Sequence, residues 1–263
     1  MRHNYTVKGR IVGFGDDGRT VIVEHEEISG LMPAMTMPFK ALNGSELDGI
    51  ELRDAVRFTL SLTRDSSWIY GLHVLPDSAV AAHPAGQPDP VFAPSGTLPL
   101  IQPGDPVPPF SLIDQNGNAF SLSVFEGRVL VLTFIYTRCP LPEYCPLLSR
   151  NFQQLQARLI ERFGDRTHLL SISFDPAHDT PEVLRTYARR YTNNTRQWIF
   201  ATGSPEEITR VAERLGMFFS FNQETFDHNL VTALIGPDGH LRRIWRGNDW
   251  QVDAVVEAVE DVL

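Results

Sequence analysis

Val129 to Ser149 reads VLVLTFIYTRCPLPEYCPLLS, and the architecture of the larger part of the chain can be argued outward from it. The leading run, Val129 to Tyr136, is apolar and β-branched. It falls well short of the ~20 apolar residues a membrane span needs and matches a buried central strand. Downstream, Leu148, Phe152, Leu155 and Leu159 recur on one face of a helix. Both cysteines of the chain, Cys139 and Cys145, lie in the turn between strand and helix. Residues at that separation on one continuous helix point to different faces, and Pro140 and Pro142 forbid such a helix in any case. The loop must therefore bulge, which can bring the two sulfurs together. Pro146 suits the first turn of the helix and puts Cys145 at its N-cap, where the helix dipole favours thiolate over thiol. A thiolate is both a nucleophile and a soft-metal ligand, so the turn serves disulfide exchange and metal binding alike.

The segments that follow alternate in type. Pro109 to Gly117 is a strand running into an Asn-Gly turn, and Phe120 to Ser123 is its return. His168 to Phe174 is a second buried strand, ending at Asp175-Pro176-Ala177-His178-Asp179. Thr180-Pro181 is an N-cap and first-turn pair for a helix through Tyr187 to about Tyr191. Ser204 opens another helix, to about Leu215. Val231 to Ile235 and Leu241 to Arg246 form a hairpin about Gly236-Pro237-Asp238-Gly239, and Trp250 to Leu263 closes the chain as a helix. This β, α, β, α, hairpin, α order predicts an α/β thioredoxin-like fold. His228, in the loop before the Val231 strand, stands where thioredoxins place the proline that packs on the cysteine pair. A lone loop histidine is more often solvated than a ligand. Asp175 and Asp179 read as turn and capping residues, and His178 as solvated.

Upstream the pattern is all-β. Tyr5 to Val12, Thr20 to His25, Asp54 to Leu62 and Trp68 to Leu75 read as short strands, with turns at Asp16-Asp17-Gly18 and Arg64 to Ser67. Several such strands within ~70 residues suggest a small closed OB-like barrel. Between the strand pairs lies HEEISGLMPAMTMPF, His25 to Phe39, with three of the five methionines: Met32, Met35 and Met37. On a strand, Met35 and Met37 share a face. Thioether sulfur is soft and favours Cu(I), and His25 can add an imidazole nitrogen. Methionine stripes also serve as core filler, and these residues alone leave both readings open.

Pro76 to Pro109 contains ten prolines and reads as a semi-rigid extended spacer that includes His83. The division expected is residues 1–76 as a β-barrel, 77–103 as a Pro-rich linker and 104–263 as the thioredoxin-like domain. The chain of 263 residues carries a net charge of −9, which argues against nucleic acid and against anionic membrane surfaces as partners. No stretch is apolar enough to span a bilayer. The N-terminus, MRHNYTVKGR, lacks the apolar core of a signal peptide. Either the protein is cytosolic or the chain begins after a removed targeting or anchor segment.

Two resemblances sharpen this. MPAMTMPF after a strand-ending histidine resembles the site of CusF-like periplasmic proteins, small β-barrels that bind Cu(I) or Ag(I) on a histidine and two methionines under a tryptophan cap. The resemblance implies His25, Met35 and Met37 as ligands. Met32 stands where the tryptophan is expected, as a third sulfur ligand or an apolar lid. FIYTRCPLPEYCPLL, SISFDPAHDTPEVLRTYARRY and DHNLVTALIGPDGHL resemble the Sco/SenC copper chaperones. That implies Cys139, Cys145 and His228 as ligands for Cu(I), and for Cu(II) as well at this site. It also implies a copper-accepting partner such as a cytochrome c oxidase subunit, and a periplasmic location. The usual family spacing is Cys-x3-Cys, whereas this chain has Cys-x5-Cys. The expectation is a two-site copper metallochaperone, monomeric, without a membrane span.

The alternative is a thiol–disulfide oxidoreductase that uses Cys139 and Cys145 without metal. A peroxiredoxin fits less well, because Thr137 sits off the Thr-x-x-Cys spacing. A Cys139–Cys145 staple ranks last, since closing so short a loop stabilises little.

Overall fold

The structure is a computed structural model that describes residues 2–15, 17–32, 34–63, 66–80, 99–222 and 225–263. The described residues form two compact units. The predicted linker falls largely outside them, as do His83 and parts of the Asp16 and Arg64 turns.

The first unit is a five-stranded antiparallel sheet of β1 (His3–Phe14), β2 (Thr20–His25), β3 (Met35–Lys40), β4 (Ala55–Leu62) and β5 (Ser67–Leu75), in the order β3-β2-β1-β4-β5. Alternation decides which face is buried. Val21, Val23 and His25 of β2 point inward with Met37 and Phe39 of β3, while Thr36, Pro38 and Lys40 point out. Phe39 packs edge-on against Phe58 of β4, ring centroids 5.1 Å apart. Bulges in β1 between Ile11 and Gly13, and in β5 between Tyr70 and His73, bend the sheet. The ladder does not close fully, in contrast to the closed barrel expected. Among the described residues the backbone bridge toward β5 comes where the chain leaves β3, a parallel bridge between Ala41 and Ile69, with Leu42 N–H donating to Ile69 O at 2.8 Å.

The second unit is a thioredoxin-like α/β fold. In chain order it comprises β6 (Ser111–Asp114), β7 (Ala119–Ser121), β8 (Val129–Ile135), α1 (Cys145–Phe163), β9 (Thr167–Ser173), α2 (Pro181–Ala188), β10 (Trp198–Thr202) and α3 (Pro205–Arg214). It continues with β13 (Val231–Ile235), β14 (Leu241–Arg246) and α4 (Val252–Glu260); the paired strands β11 (Phe219–Asn222) and β12 (Thr225–His228) precede β13 in the chain, and residues 220–222 and 225–227 of this ribbon group with the first unit. The main sheet runs β14-β13-β8-β9-β10-β6-β7, with β8, β9 and β10 mutually parallel. Every residue of β8 is buried, as its unbroken apolar run requires. Leu148, Phe152, Leu155 and Leu159 of α1 are all 0 % exposed.

Two caps stand where the sequence puts them: Thr180 Oγ1 accepts from Val183 N–H, and Ser204 Oγ from Glu207 N–H. Helix α2 ends at Ala188, short of Tyr191, and finishes in single turns. The α1 helix starts one residue earlier than expected, with Tyr144 as its N-cap residue and Cys145 already inside the first turn. The sequence reading passed over β10, because five residues between two helices carry too little periodicity to separate from a loop. It passed over the β11–β12 ribbon as well, which stands outside the main sheet.

Candidate metal centres

The cysteine turn leaves the carboxyl end of β8. The backbone turns back at once, with Cys139 N–H donating to Tyr136 O at 3.4 Å, and Leu148 N–H to Tyr144 O at 2.9 Å opens α1. The two sulfurs come into hydrogen-bonding contact and are not joined as a disulfide. Cys145 is fully buried, whereas Cys139 is partly exposed. The helix-dipole expectation for Cys145 is corrected at this point. Burial pushes its thiol well above the ordinary range, the hydrogen bond to and charge of Cys139 push the same way, and so does the charge of Asp179. The Tyr136 N–H that donates to its sulfur works in the opposite direction and does not prevail. A buried site disfavours an isolated thiolate more than the helix end favours it. Without a cation the Cys145 thiol holds its proton.

His228 reaches the same end of the sheet through strand register. β13 runs antiparallel to β8, with Thr232 opposite Thr133, and Thr133 Oγ1 donates to Val231 O at 2.8 Å. The residues just before Val231 therefore lie at the end of β8 from which the cysteine turn departs. The His228 ring is enclosed by Phe174, Tyr136 and Tyr144, with centroids at 5.0, 5.6 and 6.0 Å. Burial lowers its pKa from 6.5 to about 4, so the imidazole is neutral at physiological pH. Its Nδ1–H donates to Asn229 O at 2.9 Å. A carbonyl only accepts, so in the neutral ring Nε2 keeps its lone pair. Tyr136 links the two halves of the site: its backbone N–H meets the Cys145 sulfur and its ring meets His228.

Asp175 and Asp179 are more than turn residues. Asp179 is 0 % exposed and accepts from Thr137 N–H at 2.9 Å, Ser173 Oγ at 2.6 Å and Thr137 Oγ1. Asp175 pairs with Arg138 at 2.6 Å. His178 approaches Asp179 through Nδ1 at 2.9 Å and is not simply solvated. Ligand atoms of Asp175, His178 and Asp179 lie within 4.8 Å of one another. Both carboxylates are already engaged by protein donors, so the cluster is a brace. It grips Thr137 and Arg138, the two residues ahead of Cys139.

In the first unit, His25 pairs directly with Met35 across the β2–β3 ladder, and Val23 pairs with Met37. His25, Met35 and Met37 therefore share the inward face, with Met37 on the diagonal from His25. His25 is 1 % exposed, and burial lowers its pKa. Its Nδ1–H donates to Glu26 O at 2.7 Å. Its Nε2 is buried and has no hydrogen-bond partner. An orphaned acceptor is costly in a core, and a soft cation held with thioether sulfur would satisfy it. Met32 is 5 % exposed in the loop from β2 to β3, which a backbone bridge between Ile28 and Met32 folds back on itself. A cleft of about 140 Å³ beside His25 is lined by Arg10, Glu24, Glu26, Glu27, Ala34 and Val80.

Sequence reasoning singled out all seven candidate ligands but missed the groups that hold them. Tyr136, Tyr144 and Phe174 are scattered along the chain and only the fold brings them to His228, whereas Asn229 follows it directly in sequence. Asp179 belongs with them: in sequence it reads as a turn and capping residue, and only the fold shows it holding Thr137 in the cysteine turn.

Comparisons with known proteins bear on both units. The SCO1/SenC family profile matches residues 100–263, and the profile of the copper binding periplasmic protein CusF matches residues 4–74. The SCO1 protein homolog of Bacillus subtilis (strain 168) is 31 % identical over 145 residues, which span 54 % of this chain and 74 % of that protein. The crystal structure of Arabidopsis thaliana ScoI with copper bound superposes with a TM-score of 0.53 at 26 % identity, covering 60 % of this chain and 99 % of that one. BsSco, described with a disulfide switch and as a member of the Sco family of cytochrome c oxidase assembly proteins, gives 0.51 at 27 % identity, covering 60 % and 95 %.

Proposed function

The chain belongs to the SCO1/SenC family, and from that premise we propose that it is a copper metallochaperone with two sites of different chemistry. Cys139, Cys145 and His228 form one. His25, Met35 and Met37 form the other, with Met32 as its third sulfur or its lid. The observation that carries the reading is common to both. Each unit combines sulfur donors with a neutral imidazole whose Nδ1 is already engaged, on one strand face in the first unit and at one end of the sheet in the second, which leaves Nε2 to coordinate.

Cu(I) suits such donors. The thioether site is neutral and binds the ion without losing protons. The thiol site must release protons to bind, and two thiolates then more than offset the charge of the ion. Cys139, the more accessible sulfur, is the group an incoming or departing copper meets first, and the buried Cys145 and the caged His228 complete the site behind it. Copper is the cargo, and the acceptor is a copper-binding protein such as a cytochrome c oxidase subunit. The proposed location is the periplasm, in keeping with the CusF-like region. No helix among the described residues is long and apolar enough to cross a membrane. The proposed division of the chain is residues 1–76, 77–103 and 104–263.

Titration of the reduced chain with Cu(I) tests this. Wild type takes up two equivalents. Cys139→Ser loses one, and Met35→Ala with Met37→Ala loses the other. A single equivalent that survives the methionine changes removes the first-unit site.

One observation favours a second reading, a thiol–disulfide reductase: the partly exposed Cys139 and buried Cys145 stand as attacking and resolving thiols in contact. Cys139, as thiolate, would attack a partner disulfide and release one partner thiolate. Cys145, losing its proton, would then displace the second, so that partner disulfide becomes dithiol and Cys139–Cys145 becomes disulfide. The raised pKa of Cys145 opposes the resolving step. Turnover of a disulfide substrate together with poor copper retention would favour this reading over the first.

A further inference from the structure

His228 and His25 present Nε2 in the same way, by donating Nδ1–H to the carbonyl of the next residue. The two carbonyls are held by different means. Glu26 is tied into the sheet, its N–H donating to Lys8 O at 2.9 Å. Asn229 has no ladder to hold it, because β12 ends at His228 and β13 begins at Val231. Its own side chain takes over. Asn229 Oδ1 accepts from Phe218 N–H at 2.8 Å, and Asn229 Nδ2 donates to Gly216 O at 2.8 Å. The backbone adds Asn229 N–H to Phe218 O at 3.2 Å. The backbone N–H, the backbone carbonyl and both polar atoms of the side chain are thus all engaged.

The segment it grips is firm. At the end of α3, Met217 N–H donates to Ala212 O at 2.9 Å and Gly216 N–H to Glu213 O at 3.0 Å, and Gly216 takes φ +75° in the left-handed region that glycine tolerates. Arg246 Nη1 also donates to Gly216 O, at 3.2 Å. The amide side chain supplies the acceptor for Phe218 and the donor for Gly216 on two separate atoms. Alanine supplies neither, and aspartate supplies only the acceptor.

We propose that Asn229 is the positioning residue of the Cys139/Cys145/His228 site: by clamping the 228–229 backbone to the end of α3, it fixes the carbonyl that holds the His228 proton on Nδ1 and aims Nε2 at copper. The proposal rests on the copper reading of that site. Its test has one arm that needs no copper. Nitrogen-15 NMR of the imidazole in the reduced, metal-free full chain at pH 7 should show Nδ1 protonated and Nε2 bare in wild type. In Asn229→Ala the two nitrogens should average toward mixed tautomers. Cu(I) affinity, measured with Met35→Ala and Met37→Ala present so that only this site reports, should fall ~10- to 100-fold, the usual cost of removing a residue that orients a metal-binding histidine. Asn229→Asp should fall between wild type and Asn229→Ala. It also carries the test, with the wild-type spectrum, should Asn229→Ala not fold. A wild-type His228 protonated on Nε2 overturns the proposal, and so does a folded Asn229→Ala that keeps both tautomer and affinity. His228→Ala separates the two ideas: if it binds copper as tightly as wild type, the copper reading of the site fails, while the tautomer measurement still decides the role of Asn229.

Discussion

His228 is held neutral by its surroundings, and that has a thermodynamic consequence apart from any metal. Its folded pKa is about 4 against 6.5 for an unperturbed histidine. Between those values the unfolded chain binds a proton that the folded chain does not. Lowering the pH through 6.5 therefore destabilises the fold, and the loss levels off below about 4, at about 3 kcal/mol in full. Urea unfolding of the metal-free protein at pH 7, 5.5 and 4 measures this. Tryptophan fluorescence suits the purpose, since Trp198, Trp245 and Trp250 report on the second unit. His228→Phe should flatten the slope, and an unchanged slope would contradict the burial of a neutral ring. The sequence marked His228 only as a loop histidine, which is usually solvated. What makes it unusual is its cage of Phe174, Tyr136 and Tyr144, brought from the ends of β9 and β8 and the start of α1. Strand register assembles that cage, and no spacing within the sequence encodes it. His25 was more legible, because a two-residue period already put Met35 and Met37 on one strand face, opposite the preceding strand.

At the scale of elements, the strand–turn–helix around Cys139 and Cys145 could be read from its apolar run, its prolines and its heptad-like leucines. The acidity of its thiols could not. Dipole reasoning pointed to an activated Cys145, but helix α1 starts beneath the surface, and burial outweighs the dipole. The other hidden feature is the Asp179 brace between α2 and the cysteine turn. Replacing Asp179 with alanine leaves Thr137 N–H and the Ser173 hydroxyl hydrogen without their acceptor in the interior, while Ser173 Oγ still accepts from Asp175 N–H. At ~1–3 kcal/mol for each buried group left without a partner, the fold should lose about 3 kcal/mol. The urea midpoint of the second unit should drop accordingly. A loss under about 0.5 kcal/mol would show that the brace is incidental and the turn is held by its own prolines.

At the scale of the whole molecule, the two halves could be told apart from the sequence by period: two for the first 76 residues, then alternating strand and helix after the Pro-rich stretch. Incomplete closure of the first sheet was not legible, because whether β3 and β5 pair along their length depends on curvature set by bulges after Ile11 and after Tyr70. The central claim is chemical: one chain carries a copper site that must lose protons to bind and another that need not. Cu(I) affinity of two single-site proteins at pH 7 and pH 5 tests it most directly. One carries Met35→Ala and Met37→Ala, the other Cys139→Ser and Cys145→Ser. With two thiols deprotonating and His228 already neutral, the first should weaken by up to ~10⁴-fold between those pH values. The second should change far less, because thioethers carry no proton and burial lowers the pKa of His25. Equal pH dependence in the two proteins, or no copper binding by the second, would contradict the account.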